Sequence, residues 1–288
     1  MHSLTEKNIC FIGAGSMSEA IVRGLTKQNR LNPNQITMTN RGNQERLSQL
    51  NKAYGVSGAV DEHQRKQAIS TADIIVLAMK PKDAADAIRM YHTSLQTNQL
   101  LISVIAGLSI ASIEKLAGLS LPIVRSMPNT SSTIGLGATG ISYSNGVSTE
   151  QKRLARDIFE STGIVCEVEE AALDIVTGVS GSGPAYIYYV MEAMIAGGVS
   201  GGLNESTARL LTVQTVLGAA NMVLQTEENP ADLRKKVTSP GGTTQAALEL
   251  MSANGVSEHI TNAVLRAAER AGELGKAIAE QIDANMND

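Results

Sequence analysis

Two cysteines, Cys10 and Cys166, are the only thiols in a chain of 288 residues, and both lie inside apolar, strand-like runs. That scarcity excludes a disulfide framework and a cysteine-built metal site; the pair read as buried thiols in a reduced compartment. The four histidines are scattered without metal-ligand spacing, so no metal is expected. No long run of like charge occurs, and the net charge is −4. Both features argue against nucleic acid or an anionic membrane as the main partner. No apolar run approaches the ~20 residues of a membrane helix. Residues 1–8 lack the apolar segment of a secretory signal. The expected location is the cytoplasm.

Apolar residues, by contrast, make up 43% of the chain, enough for a sizeable core in one large or two medium domains. Residues 8–12 form a short apolar strand. Gly13-Ala14-Gly15-Ser16-Met17-Ser18 follows, and then Ala20, Ile21, Val22 and Leu25 repeat with helical spacing. Strand, glycine turn and helix in that order match a dinucleotide-binding fingerprint, with Ser18 in place of the third glycine. Gly13 makes the tight turn, Gly15 admits the pyrophosphate to the helix N-terminus, and a small Ser18 still permits close helix–strand packing. The next strand, 36–40, is the one whose end carries an acid in NAD-selective folds. Here it ends in Asn40-Arg41. The missing carboxylate and the following guanidinium favour a 2′-phosphate, hence NADPH over NADH.

The near-continuous apolar run 73–79 reads as a parallel strand covered on both faces, ending in Lys80-Pro81-Lys82. Ligands bind beyond the carboxyl ends of such strands, which places Lys80 toward the cofactor. Pro81 suits the first position of the next helix. Further strands are expected at 100–106, 122–127, 137–144 and 164–168, with helices near 44–52, 110–116 and 149–161. The alternation defines a doubly wound α/β domain over 1–168. After Glu170 the strand signals stop. Residues 179–184 read as a glycine–serine hinge before a long helix, and Asn204 as the N-cap of another. That second helix carries Leu210, Leu211, Val213, Val216, Leu217 and Met222 on nearly every side. A helical domain over 169–288 can hardly bury such a helix alone, so an extensive subunit interface is expected. Gly197-Gly198 and Gly201-Gly202 read equally as a close helix contact or as a helix end.

One polar stretch in this half is rigid at a single point: Val237-Thr238-Ser239-Pro240-Gly241-Gly242-Thr243-Thr244. Pro240 fixes its φ, and the paired glycines permit strained angles and close ligand approach. Backbone N–H groups ahead of a helix dipole would make an anion seat. An ordinary turn capped by Thr243 or Thr244 reads equally well.

Five motifs stand together in order: Phe11-Ile12-Gly13-Ala14-Gly15-Ser16-Met17, Ala78-Met79-Lys80-Pro81, Met127-Pro128-Asn129-Thr130, Ser180-Gly181-Ser182-Gly183-Pro184-Ala185-Tyr186, and the 237–244 stretch. On these the chain resembles the pyrroline-5-carboxylate reductase family over residues 8–275. The resemblance implies an N-terminal Rossmann-type doubly wound sheet followed by an all-helical C-terminal dimerisation domain. It implies homodimers, which the family often builds into larger rings. It implies reduction of 1-pyrroline-5-carboxylate to L-proline by hydride transfer from NAD(P)H to the C5 imine carbon. The family's cofactor segment carries over onto Ile12, Gly13, Ala14, Gly15, Ser16 and Met17, onto Asn40 and Arg41, and onto Ala78, Met79, Lys80 and Pro81. Its substrate loop carries over onto Ser239, Gly241, Gly242, Thr243 and Thr244. Thr244 matches the threonine that bonds the ring nitrogen, and Glu227 an acidic residue near the substrate. Arg65 departs from the family, in which many members place Asn against the adenosine; Lys236 departs from a neutral polar residue. Two rival readings are a β-hydroxyacid dehydrogenase and a non-enzymatic NADPH-binding protein. The first wants an acid–base lysine whose local pattern Lys235 and Lys236 do not match. The second has no need of a seat at 239–244.

Overall fold

In the computed structural model, which describes residues 4–284, strand and helix alternate through the first 167 residues. The elements are β1 (Ile9–Ile12), α1 (Ser16–Lys27), β2 (Ile36–Thr39), α2 (Gln44–Tyr54), β3 (Ser57–Ala59), α3 (Glu62–Thr71), β4 (Ile74–Leu77), α4 (Pro81–Tyr91), β5 (Leu100–Ser103), α5 (Ile110–Ala117), β6 (Ile123–Met127), β7 (Gly137–Tyr143), α6 (Thr149–Glu160) and β8 (Gly163–Glu167). Helices α7 (Leu173–Val176), α8 (Gly183–Ser200), α9 (Glu205–Thr226), α10 (Pro230–Lys236), α11 (Thr243–Ala253) and α12 (Val256–Ala284) follow. The sheet order is β3-β2-β1-β4-β5-β6-β7-β8. It is parallel except where β7 runs antiparallel to β6. The chain leaves β1 toward β2 on one side and resumes at β4 on the other, so a crevice opens at the carboxyl ends of β1 and β4.

Side chains alternate between the two faces of a strand. Along β1, Ile9 and Phe11 enter one apolar cluster with Ile21, Leu25, Met38 and Phe159. Cys10 and Ile12 enter another with Ile75, Ile88, Leu101 and Ile113. Each such buried side chain contributes about 1.5–3 kcal/mol. Burial pushes the Cys10 thiol up to about 12. Cys166 corrects the expectation of two buried thiols: it is exposed, because β8 is the edge strand of the sheet.

The residues up to 181 and those from 266 onward form one compact unit, and Ser182–Leu265 another. The sequence places its division at 168/169, where strand signals end. In the structure α7 packs on β6 and β7, and Ile282 of α12 sits in the second apolar cluster, so both segments complete the sheet unit. The stretch read as a hinge is helical: Thr177–Gly181 winds as a π turn and α8 begins two residues later. A Cβ on Gly181 would lie 2.9 Å from Met127 Cε, the tip of a flexible side chain that would have to turn aside.

In the helical unit the glycines of α8 serve in both expected ways. A Cβ on Gly198 would stand 3.0 Å from Ala208 Cβ, so Gly198 lets α8 and α9 approach. Gly201 caps α8, and Gly202 turns the chain with φ +98°. Asn204 caps α9, its side chain accepting from the Thr207 N–H. Within Ser182–Leu265 only Ala208 and Thr212 are buried. Leu224 is 76% exposed, Tyr189 75% and Leu210 70%. A unit with so little core of its own needs another surface to cover it. Light scattering at micromolar concentration is expected to give at least twice the 30.3 kDa chain mass; a monomer would refute the inference. Among the described residues no helix is long and apolar enough to cross a membrane.

Candidate active site

The crevice is built by the glycine turn. Gly13 has φ +115°, and a Cβ there would fall 2.5 Å from the Ala78 carbonyl oxygen. Its N–H donates to the Thr39 carbonyl at 3.2 Å, so the turn is tied to the neighbouring strand. Buried Ser18 donates its hydroxyl to the Gly13 carbonyl at 2.7 Å; it fits the close packing expected of it and also locks the turn. Gly15 is the N-cap of α1, with extended backbone and no side-chain cap. Nothing lies within 4 Å of where its Cβ would stand. The helix N-terminus therefore faces open space, as a pyrophosphate seat requires.

Around this turn lies a cleft of about 400 Å³. It brings together Ile12, Gly13, Ala14, Gly15, Asn40, Arg41, Ala78, Met79 and Lys80. Asp83, Asp86, Met90 and Tyr91 of α4 also line it, and the sequence reading does not single them out. Ser16, Met17 and Pro81 do not line it. Ser16 opens α1, Met17 packs against the core, and Pro81 opens α4. Asn40 is committed at both ends. Its Oδ1 accepts from the Gly42 and Asn43 N–H groups at 3.1 and 2.9 Å, and its carbonyl accepts from Arg65 Nη1 at 2.9 Å. Arg46 is a brace with no periodic signature in the sequence. Its Nε donates to the Ala14 carbonyl at 3.0 Å, and its Nη2 to Glu19, which also accepts from the Tyr54 hydroxyl. The bond from Arg46 holds the Glu19 carboxyl below its ordinary range, with Tyr54 adding to the effect.

The 237–244 stretch, in the helical unit, resolves against side-chain capping. Gly242 is the N-cap of α11, and Thr243 and Thr244 are already helical. Gly241 has φ +72°. Two of the backbone donors are committed within the loop: Gly242 N–H donates to the Ser239 carbonyl at 3.0 Å and Gly241 N–H to Gln245 Oε1 at 2.7 Å. Gln245 is held in turn by Glu249, at 2.7 Å. The first helical bond of α11 is from Ala246 to the Gly242 carbonyl. The N–H groups of Thr243, Thr244 and Gln245 thus remain outward donors at a positive helix end. Glu227, the C-cap of α9, holds φ +56°, a left-handed conformation costing about 1–2 kcal/mol for a residue with a side chain. Lys236 pairs with Glu228, and Lys235 with Asp232 at 2.9 Å, so both lysines near the loop are engaged.

Two motifs of the sheet unit also meet. Asn129 Nδ2 donates to the Ser180 carbonyl at 3.0 Å, and its Oδ1 accepts from the Ala138 N–H at 3.2 Å.

A doubly wound sheet with a glycine-turn cleft at its switch point defines a dinucleotide-dependent oxidoreductase of the Rossmann type. Comparison with known proteins sharpens the class. A family profile described as "NADP oxidoreductase coenzyme F420-dependent" matches residues 8–107, and one described as "Pyrroline-5-carboxylate reductase dimerisation" matches residues 170–274. Pyrroline-5-carboxylate reductase 1 of Bacillus subtilis is 41% identical over 273 residues, covering 95% of this chain and 91% of that protein. A solved pyrroline-5-carboxylate reductase of Coxiella burnetii superposes with TM-score 0.86 at 39% identity, over 93% of this chain and 98% of that one. The Plasmodium falciparum pyrroline carboxylate reductase, solved with NADP bound, gives TM-score 0.83 at 30% identity, over 94% and 99%. The chain belongs to the pyrroline-5-carboxylate reductase family.

Proposed function

We propose that this chain reduces 1-pyrroline-5-carboxylate to L-proline with NADPH, NADH being the alternative donor, as the final step of proline biosynthesis. One observation carries the reading: the same chain holds a glycine-turn cleft with Arg41 and Lys80 in its lining and a helix N-terminus with three outward N–H donors. The substrate needs both, since it is an imine acceptor of hydride that also bears a carboxylate. The cleft fits a phosphorylated dinucleotide, because Gly15 leaves open space where the pyrophosphate approaches and the end of β2 carries no acid. Bound there, the nicotinamide supplies the hydride.

The chain's own residues bind and orient. The Thr243, Thr244 and Gln245 N–H groups hold the carboxylate, with Ser239 beside them and Gly241 and Gly242 shaping the turn rather than donating. Charge-assisted bonds of this kind contribute about 1.5–3 kcal/mol each. The Thr244 hydroxyl donates to the ring nitrogen. As C5 gains hydride, the C=N π pair passes to nitrogen, which takes its proton from solvent water while the Thr244 hydroxyl keeps the hydrogen bond that holds it in place. Glu227 supplies the acidic group on the substrate side. Ser16 and Met17 support the glycine turn, and Lys80 orients the cofactor. Residues 169–288 act as the substrate-binding and dimerisation domain; the family's habit of building rings from such dimers supports a larger assembly. We place the reaction in the cytoplasm, where free thiols such as exposed Cys166 persist.

The test is NADPH oxidation on adding pyrroline-5-carboxylate, with proline identified by mass. Oxidation at the same rate without the imine would overturn the reading. A second measurement addresses the rim of the cleft. Arg41→Ala is expected to narrow the NADPH-over-NADH ratio of kcat/KM by about tenfold, the order of one lost charge-assisted bond. An unchanged ratio would remove Arg41 from 2′-phosphate recognition.

A further inference from the structure

Arg65 stands beside the cofactor cleft in an unusual electrostatic state. It lies on α3 and is half-buried. Its Nη1 reaches two carbonyl oxygens, Asn40 at 2.9 Å and Val60 at 3.4 Å, the residues that directly follow β2 and β3. Its Nε is buried with no partner. Among the described residues no carboxylate makes an ion pair with it; Glu62, its neighbour on α3, pairs with Lys66 instead. A half-buried guanidinium without a counter-ion is costly unless an anion arrives to compensate it.

The carbonyl that Arg65 holds belongs to the peptide entering Arg41, and Arg41 lines the cleft. The Asn40 side chain is closed onto the Gly42 and Asn43 N–H groups. It is therefore not free to accept from a ribose hydroxyl, which removes the usual contact of an unphosphorylated ribose at this strand end. What remains is a short loop pinned from both sides, with one guanidinium on its tip and another behind its root. That arrangement suits a dianion better than a hydroxyl.

We propose that Arg65 is a specificity-determining residue for the 2′-phosphate: it fixes the Asn40-Arg41 peptide and supplies the uncompensated second positive charge of the seat. The proposal rests on the cofactor part of the function above. It is tested by calorimetry on the full chain with two adenosine-side fragments, 2′,5′-ADP and 5′-AMP, so that no turnover is needed. Wild-type protein is expected to bind 2′,5′-ADP the more tightly. Arg65→Gln should weaken 2′,5′-ADP about tenfold while 5′-AMP changes less than about twofold. Arg65→Lys keeps the charge without the planar fork and should recover part of the ratio. Raising the salt concentration should weaken 2′,5′-ADP less steeply in Arg65→Gln than in wild type. Equal losses for both fragments in either variant, the result of a merely structural role, would overturn the proposal, as would an unchanged ratio in Arg65→Gln. If Arg65→Gln does not fold, Arg65→Lys decides: a lowered ratio with 5′-AMP binding kept supports the proposal, and any other result overturns it. Wild-type protein showing no preference for 2′,5′-ADP would instead overturn the cofactor reading itself.

Discussion

Replacing Thr244 by valine should lower kcat for pyrroline-5-carboxylate by about 10²-fold, the order that one positioned donor contributes, and leave NADPH affinity within about twofold. The expectation comes from where the hydroxyl sits. Several helical threonines in this chain turn their hydroxyl back onto the carbonyl four residues earlier: Thr26 to Val22 at 2.8 Å, Thr71 to Gln67 at 2.9 Å and Thr226 to Met222 at 2.8 Å. Thr244 is the second residue of α11, and four residues back lies Pro240, outside the helix. Among the described residues its hydroxyl makes no hydrogen bond, so it is free to donate to a ligand. Valine matches the shape and removes the donor, and the backbone N–H proposed to hold the carboxylate stays in place. Substrate KM should therefore rise far less than kcat falls, the pattern of an interaction made mainly in the transition state. Thr244→Ser restores a hydroxyl and should recover most of the rate. Full turnover by Thr244→Val would take Thr244 out of the mechanism.

The same loop marks where sequence reasoning reaches its limit. A rigid turn leading into a helix is legible from Pro240, the paired glycines and the helical pattern that follows, because each restricts the backbone in a known way; anion seat and ordinary turn read alike there. Which amides face outward is not legible. Gln245 takes the Gly241 N–H and is held by Glu249, and nothing in the pattern of a single turn announces that clasp. Of the donors the loop offers in sequence, the N–H groups of Gly241, Gly242 and Thr243, the two glycine N–H groups are committed, so the outward set lies two residues further on, at Thr243, Thr244 and Gln245. Arg46 escapes for a related reason: its long side chain reaches the Ala14 carbonyl, distant in sequence, and no periodicity records it. The exposure of Cys166 depends on the place of β8 at the sheet edge, a property of strand order and not of the strand's own residues. By contrast the glycine turn and the Asn204 cap follow from local backbone chemistry, and they stand where the sequence puts them.

The two glycines of the first turn should separate folding from cofactor binding. Gly13→Ala places a methyl 2.5 Å from a backbone oxygen of Ala78, at φ +115°. Neither partner is the end of a flexible side chain, so β1 and β4 must shift. The backbone conformation and the clash together should cost at least about 3 kcal/mol, a fall of roughly 6–12 °C in Tm for a chain of this size. The Thr39 and Ser18 bonds to this turn would be disturbed in the same step, so NADPH binding should be lost as well. Gly15→Ala places its methyl where nothing lies within 4 Å, and the extended backbone of Gly15 suits alanine. Its stability should stay within about 1 kcal/mol, the loss set by a weaker N-cap. The open space is the approach to the α1 N-terminus, however, and a methyl there stands between the backbone and the pyrophosphate. NADPH affinity should fall at least tenfold, on the order of 1.4 kcal/mol. Thermal melts with and without NADPH read both effects at once: Gly13→Ala should melt early in either condition, and Gly15→Ala should melt normally alone but gain little from the cofactor. A Gly15→Ala protein stabilised by NADPH as strongly as wild type would show that the pyrophosphate does not approach over Gly15.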